Sequence, residues 1–466
     1  MASPIAGNPL DLSETIVAQA TVPGRGALSI VRLSGPKAHT IAQPIVGRWP
    51  THPRTATLTA VHDAAHVEID QSVIIRYDAP ASFTGEDAVE LITHGGLVVP
   101  TTIVAALIAN GARLARPGEF TRRAVLNGKL DILQAEAAGD LVNASSRAAQ
   151  RAAIRQLDGG LSRRVLALRD ELIGLEALIA YDIDFPEEDD GPIAPARVLG
   201  ATDSLVQALE HLLATSHAGE LIREGALVVL AGAPNVGKSS LFNALVGEAR
   251  AIVTEIPGTT RDAIEAVLDT PSFPLRLVDT AGIREALDPV ERLGVEVSES
   301  YVSRASVVLA CGDSGEAIRG IGTLLIGRTA APLIIVWTKT DVSMPSAEEL
   351  SGHRQDTGAV AALAVSAETG DGLDALLSAI AAAVAGDEDP PQLDAPLLTH
   401  ERHRFAVSQA LAEVRAFRDC WSAGEIPAPV AAVHLREAVT TLEDLIGAVD
   451  VEDVLDEVFR RFCVGK

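Results

Sequence analysis

The spacing of apolar positions changes several times along the chain, and each change marks a new kind of structure. Through residues 16–127, short β-type runs (28–31, 72–75 and 89–92) alternate with turns such as VPGRG and HGG. A helical stretch at 100–109 sits among them, so this part reads as a small α+β domain. Over residues 129–218 the period becomes helical. Leu161, Val165, Leu168, Leu172, Leu175 and Ile179 recur at steps of four and three, which places one apolar stripe along a long helix. The turn DFPEEDDGP ends it, and a second helix is expected over about 195–216.

Between residues 221 and 386, apolar runs rich in β-branched residues (226–231, 275–279, 306–311, 332–337 and 361–366) alternate with helical stretches. That alternation predicts a parallel α/β sheet. GDEDPP then reads as a linker, and helical patterns return. Val407, Leu411, Val414 and Phe417 share one face; Leu435, Val439, Leu442 and Ile446 share another. The expected chain is a multidomain mixture of α/β and α parts: an N-terminal α+β domain (1–128), a helical domain in two pieces (129–220 and 387–466), and a P-loop domain (221–386) inserted between them. Separate N- and C-terminal helical domains are the alternative.

Chemistry enters at Gly232–Ser239, GAPNVGKS, a Gly-x-x-x-x-Gly-Lys-Ser phosphate loop between the 226–231 run and the helical segment SSLFNALVG. Backbone N–H groups of such a turn close around phosphate oxygens at the positive end of a helix dipole. Lys238 supplies charge to the outer phosphates, and the Ser239 hydroxyl can ligate Mg²⁺.

Four more motifs follow in order. PGTTRD offers Thr260 to complete Mg²⁺ coordination. DTAG offers Asp279, which can hold Mg²⁺ through water, and the Gly282 N–H for a γ-phosphate. TKTD offers Asp341, whose carboxylate accepts from guanine's N1–H and 2-amino group. SAE can meet the base through backbone N–H groups. The expected GTP-binding residues are Asn235, Val236, Gly237, Lys238, Ser239, Ser240, Thr254, Glu255, Ile256, Pro257, Gly258, Thr259, Thr260, Asp279, Thr280, Ala281, Gly282, Thr338, Lys339, Thr340, Asp341, Ser366, Ala367 and Glu368.

Two positions depart from the usual switch pattern. Thr338 stands where asparagine is customary, which predicts lost amide contacts and weaker guanine affinity. Ile283 follows DTAG where many switch GTPases carry a water-orienting glutamine, so that role must fall elsewhere. Glu285 and Glu291 are both candidates, a carboxylate being able to hold the attacking water.

Composition narrows the setting. Asp and Glu number 63 against 38 Lys and Arg, a formal charge of −25. This opposes a broad nucleic-acid footprint, so an RNA partner must dock on a local basic patch or be carried by another protein. Cys311, Cys420 and Cys463 have no metal-ligand spacing and suit a reducing cytosol. No secretion signal or membrane span is expected, and the chain reads as cytoplasmic.

The ends of the chain carry long signatures: TIVAQATVPGRGALSIVRLSGP, SFTGEDAVEL with THGG, ARPGEFTRRAVLNGKLDILQAEA, and the closing FCVGK. These closely resemble the tRNA-modifying GTPase family called MnmE or TrmE, over essentially the whole chain. The family usually has isoleucine where this chain has Val464. The resemblance implies an N-terminal folate-binding domain that dimerises, a discontinuous helical domain and an inserted Ras-like G domain. It implies a homodimer working with an FAD-dependent partner (GidA, also called MnmG) at C5 of the wobble uridine of certain tRNAs. The product carries an aminomethyl or carboxymethylaminomethyl group, and the one-carbon donor is a 5-formyl- or 5,10-methylene-tetrahydrofolate.

The G domains of this family dimerise in a potassium-dependent way. By resemblance, Asn235, Thr254, Ile256 and Thr259 ligate K⁺; Ser239, Thr260 and Asp279 serve Mg²⁺; Glu291 orients water; and Arg32, Glu90, Lys129 and Lys466 bind folate. Cys463 is either a catalytic thiol or a small residue packed beside the folate site. Two other functions compete: a ribosome-assembly GTPase, and a folate-binding aminotransfer module whose G domain only scaffolds.

Overall fold

Alternating burial along extended runs builds the first sheet. In this computed structural model the described residues are 12–184, 194–248, 264–279, 300–386, 395–423, 427–447 and 465. They fall into two compact units, one made of residues 1–139 with 443–466, the other of 140–442.

In the first unit, strands β1 (Ile16–Gln19), β2 (Gly24–Ser34), β3 (Thr57–His62), β4 (Glu68–Tyr77), β5 (Ala88–Gly96) and β6 (Arg113–Leu114) form one sheet in the order β3-β4-β5-β2-β1-β6. All neighbours are antiparallel except β1 and β6. Val31, Leu33, Ile74, Val89 and Leu91 point to one face and pack with Ile41 of helix α1 (Ala38–Ala42) and with Ile103 and Leu107 of α2 (Val99–Ala109). The period-2 rule sends Arg32 and Glu90 to the other face. Strands β1, β3 and β6 are not among the runs read from sequence; β1 has four residues and β6 only two, too few to show a period.

Helix α3 (Glu119–Leu126) contributes a fully buried arginine. The Arg123 guanidinium donates to Glu86 at 3.0 Å, Glu119 at 3.2 Å and the Glu14 carbonyl at 2.9 Å. Burial alone would raise the Glu119 carboxyl, but Arg113 and the Arg116 N–H outweigh it and hold the group below the usual carboxylate range. Losing either partner would strand a buried charge, a situation costing about 3–5 kcal/mol.

The second unit contains both helical pieces and the nucleotide-type sheet. After α4 (Ile132–Asn143), which crosses from the first unit, come α5 (Arg147–Leu157), α6 (Gly160–Asp184), α7 (Pro195–Ala214) and α8 (Ser216–Glu224). The six apolar residues predicted to stripe α6 are all buried. Beyond the sheet lie α13 (Glu401–Ala423) and α14 (Ala428–Ile446), and both predicted apolar faces of this region are buried.

The sheet has the order β12-β11-β10-β7-β9-β8, with strands β7 (Ala226–Ala231), β8 (Ile264–Leu268), β9 (Leu275–Asp279), β10 (Val307–Gly312), β11 (Leu333–Trp337) and β12 (Ala361–Ala364). Five strands run parallel as expected. The sixth, β8, is an antiparallel edge strand and was not anticipated. Its sequence IEAVL lacks the continuous apolar content that buried parallel strands require, which is typical of an edge. Helices α9 (Lys238–Glu248) and α12 (Leu373–Ala385) cover one face through Leu241, Phe242, Leu245, Leu376 and Ile380. Leu325 of α10 (Gly315–Leu325) packs on the other face, and Leu350 of α11 (Ala347–Thr357) packs beside Trp337. Among the described residues, no helix is long and apolar enough to cross a membrane.

The helical pieces on either side of the sheet are clasped together. Gln156 donates to the Leu397 carbonyl at 2.9 Å and to Thr399 at 3.0 Å. A Cβ placed on Gly219 would lie 2.2 Å from the Leu398 carbonyl oxygen, so two backbones meet where only glycine fits. Asp140 binds His400 Nε2 at 2.8 Å and accepts from Arg223 at 3.1 Å. Burial would raise the Asp140 carboxyl, but the His400 hydrogen bond and the Arg223 charge hold it below its ordinary value. A depressed carboxylate stabilises the fold above its unfolded pKa of about 3.9, and that contribution fades as pH falls through the lower folded value. Asp140→Asn should therefore lower stability by roughly 1–3 kcal/mol at pH 7. In urea unfolding followed at several pH values, the deficit should shrink as pH drops below about 4.

Candidate functional site

The phosphate loop springs from β7, which lies between β10 and β9. The connections leave this central strand in opposite directions, the switch point where open α/β sheets bind ligands. Gly232 opens the loop because a Cβ there would sit 2.4 Å from the Cys311 carbonyl oxygen. Asn235 (φ 63°) and Gly237 (φ 95°) are left-handed, a conformation glycine adopts freely and asparagine tolerates. Lys238 begins α9 and is buried; its ammonium donates to the Gly232 carbonyl at 3.0 Å and the Ala233 carbonyl at 2.9 Å. Beside it, the Ser239 hydroxyl donates to Asp279 Oδ2 at 2.6 Å, from the C-terminal end of β9. A hydroxyl and a carboxylate meeting at one point are the hard oxygen donors that Mg²⁺ prefers.

The TKTD segment, expected to read the base, follows β11. The Thr338 hydroxyl donates to the Val236 carbonyl and, at 3.2 Å, to the Gly312 carbonyl. The expected loss of side-chain contacts at Thr338 is therefore incomplete: a hydroxyl ties the base-reading segment to the phosphate loop. Lys339 is also left-handed (φ 56°), and its ammonium donates to the Asn235 carbonyl at 2.6 Å and Asp313 at 2.8 Å. Asp341 is exposed and accepts from the Ser366 hydroxyl at 2.7 Å. The Ser366 N–H donates to the Asp371 carbonyl at 3.0 Å. These Lys339, Asp313 and Ser366 contacts bridge separate loops, and sequence reading did not find them.

Residues 254–260 (Thr254, Glu255, Ile256, Pro257, Gly258, Thr259 and Thr260), Thr280, Ala281, Gly282, Ile283, Glu285, Glu291, Cys463 and Lys466 lie outside the described residues. Burial pushes the Cys311 thiol up to about 12, with Lys238 and Asp279 acting in opposite directions, so this cysteine stays protonated.

A separate cavity, of about 110 Å³, lies in the first unit. Arg32 and Glu90 are cross-strand partners on β2 and β5 and form an ion pair at 2.9 Å. Tyr77 donates to the other Glu90 oxygen at 3.0 Å. Burial and the Glu90 charge raise the Tyr77 phenol, which keeps it a donor. The Arg32 guanidinium stands 5.4 Å from the Phe83 ring centre and 5.7 Å from that of Phe120. Lys129 is not among the residues lining this cavity; its ammonium donates to the Pro80 carbonyl at 3.2 Å. Gly465 lies against the end of β1, where a Cβ on it would come within 2.5 Å of the Gln19 carbonyl oxygen. Ala18, next to Gln19, is in register with Arg32. Sequence reading missed Tyr77, Phe83 and Phe120, which tertiary packing and not local spacing brings to Arg32.

A phosphate loop at the switch point, an acid at the end of the neighbouring strand and an aspartate at the end of β11 define a P-loop nucleotide-binding protein. Comparison with known proteins carries the assignment further. Residues 132–463 match the family model MnmE helical domain, and residues 15–129 match GTP-binding protein TrmE N-terminus. The helical-domain match brackets the nucleotide sheet, as an insertion requires. The chain is 43% identical over 97% of its length to the tRNA modification GTPase MnmE of Azoarcus sp. (strain BH72), covering 98% of that protein. It is 42% identical over 97% of its length to the MnmE of Neisseria meningitidis serogroup C (strain 053442), covering 99%, and 40% identical over 98% to that of Heliobacterium modesticaldum, covering 100%. The G domain of the T. maritima FeoB iron transporter aligns with 34% of the chain and 98% of its own, at 26% identity and a TM-score of 0.28. This chain belongs to the MnmE family.

Replacing Thr338 with valine keeps the shape but removes the donor to two buried loop carbonyls. The expected result is a loss of about 1–2 kcal/mol in urea unfolding, with weaker binding of a fluorescent GTP analogue in titration.

Proposed function

We propose that this chain hydrolyses GTP in the service of tRNA modification, acting at C5 of a wobble uridine together with an FAD-dependent partner. The observation that carries the reading is the convergence of Lys238, Ser239, Asp279 and Asp341 at the C-terminal edge of one parallel sheet. It occurs in a chain whose relatives, matched over nearly their full length, are tRNA modification GTPases. The division into residues 1–128, 129–220, 221–386 and 387–466 is part of the proposal.

In this mechanism Lys238 exchanges its two loop carbonyls for β- and γ-phosphate oxygens. Ser239 and Thr260, with Asp279 acting through water, would hold Mg²⁺, which would supply positive charge to the phosphates. Asn235 has an exposed side chain on the loop, able to offer an oxygen to K⁺, and Thr254, Ile256 and Thr259 complete that site. Positive charge there takes the place of an arginine finger. Glu291 orients the water and Asp341 selects guanine. Two copies of the chain pair, in the cytoplasm.

The Arg32–Glu90–Tyr77 cavity suits a tetrahydrofolate chemically. Its carboxylate can accept from a pterin's amide and amino edge, and Phe83 offers an apolar wall. At about 110 Å³ it is well under the roughly 300 Å³ where small-molecule pockets begin, so it takes the edge of the ligand and not the whole. Lys129 and Lys466 would meet the glutamate tail. Cys463 is assigned a role in the one-carbon step.

GTP hydrolysis should be several-fold faster in potassium than in sodium buffer, and Asn235→Ala should abolish the difference. Equal rates in both salts, with no tetrahydrofolate binding by calorimetry, would overturn the potassium and folate parts. Normal wobble uridines in bulk tRNA from cells lacking the protein would overturn the tRNA part. Asp341→Asn exchanges an acceptor for a donor, so nucleotide preference should shift from GTP towards xanthosine triphosphate in competition binding, by at least tenfold, or about 1.4 kcal/mol.

A further inference from the structure

With a formal charge of −25, this protein cannot hold RNA through a general field, and any phosphate contact needs a local concentration of cations. One stretch provides it. Residues 141–169 contain six arginines and a single acid, Asp158. Arg147, Arg151 and Arg155 recur every four residues along α5, so each stands about 6 Å above the last on the same face. All three are exposed, as is Arg163 on the first turn of α6.

The opposite face of α5 explains why this stripe is presented so firmly. Ala148, Ala149, Ala152, Ala153 and Gln156 are buried there, and the first three belong to the core beneath the nucleotide sheet. Small residues let the helix lie close to that core, so its orientation is fixed and the long cationic side chains project outward. Where α5 meets α6 there is a cavity of about 260 Å³, walled by Arg155 and Arg163, by one acid, Asp158, and by the segment 395–397. That is below the roughly 300 Å³ at which drug-sized sites begin, and suits a phosphate group better than an entire nucleotide.

The contacts made by Arg147 and Arg163 leave both guanidinium groups accessible. Asp269 accepts from the Arg147 main-chain N–H at 3.0 Å but stands 3.8 Å from its guanidinium, whose side chain remains 80% exposed, a weak pair in water. At the elbow, Arg163 donates to the main-chain carbonyl of Asp158 at 2.7 Å. Guanidinium forks match phosphate oxygens two at a time, which favours arginine for this task. The outward face has no aromatic residue to stack on a base. Its contacts would therefore position a strand without reading its sequence.

We propose that the arginine stripe of α5, with Arg163 at the elbow, is the surface on which the phosphate backbone of the substrate RNA docks. The proposal rests on the tRNA-modification reading above. RNA held there bears on the same helix whose alanine face packs into the core of the nucleotide sheet.

The test uses the full-length chain and unmodified total tRNA, with binding followed by fluorescence anisotropy from about 50 to 200 mM salt. The triple variant Arg151→Ala, Arg155→Ala, Arg163→Ala should bind at least tenfold more weakly at the low-salt end. Its dependence of log affinity on log salt should flatten by about 0.7–0.9 per lost contact, or roughly two units in all. Basal GTP hydrolysis should not change, since none of the three touches the nucleotide loop. The matching triple lysine variant should keep the salt slope and most of the affinity. Unchanged affinity and slope in the alanine variant would overturn the proposal, and so would a wild-type chain that binds no tRNA at low salt. The wobble-uridine content of cells lacking the protein judges the functional reading independently, so the two can fail separately.

Discussion

A phosphate loop is a costly piece of backbone. It turns through left-handed conformations and gathers carbonyls around a buried ammonium. Much of the second unit is organised to hold it. Asn235 and Lys339 are both non-glycine residues at positive φ, and the Lys339 ammonium bonds the Asn235 carbonyl. Two sparsely populated conformations thus support one another across separate loops. The Thr338 hydroxyl fastens the same loop from the next turn of chain. The segment after β11 is consequently a brace for the phosphate loop, and a change in either is felt by both.

The first unit uses arginine in two opposite ways. Arg123 is fully buried and surrounded by Glu86, Glu119 and a carbonyl, so its role is to hold α3 against the sheet. Arg32 is partly exposed, has aromatic rings near it and is matched to Glu90 by strand register. A ligand can displace part of the second pair at modest cost because water already reaches it. Opening the first would leave a charge in a place water cannot enter.

The local features were legible in the sequence. The phosphate loop, the stripe on α6 and the apolar strands of the parallel sheet depend on residues close together in the chain. Features set by pairing between distant segments were not. Strand β8 reads as IEAVL and shows itself only beside β9. Tyr77 and Phe83 join Arg32 through strand order, and Asp140 meets His400 across 260 residues of chain. The hydrogen bonds of Thr338 were hidden for the same reason. Its identity suggested a lost amide, while its neighbours supply two carbonyls suited to a hydroxyl.

The glycine contact between α8 and the segment at Leu398 has a mechanical meaning. The chain enters the nucleotide domain just after Gly219 and leaves it just before Leu398, and the two backbones touch there. Entry and exit share this neck, and α5 adds a second hold through its alanine face and the Arg147 N–H bond to Asp269. A pull that separates entry from exit must break the clasp formed by Gln156 with Leu397 and Thr399, and a rotation must slide the sheet over the alanines of α5. The attachment therefore resists swivelling as well as stretching.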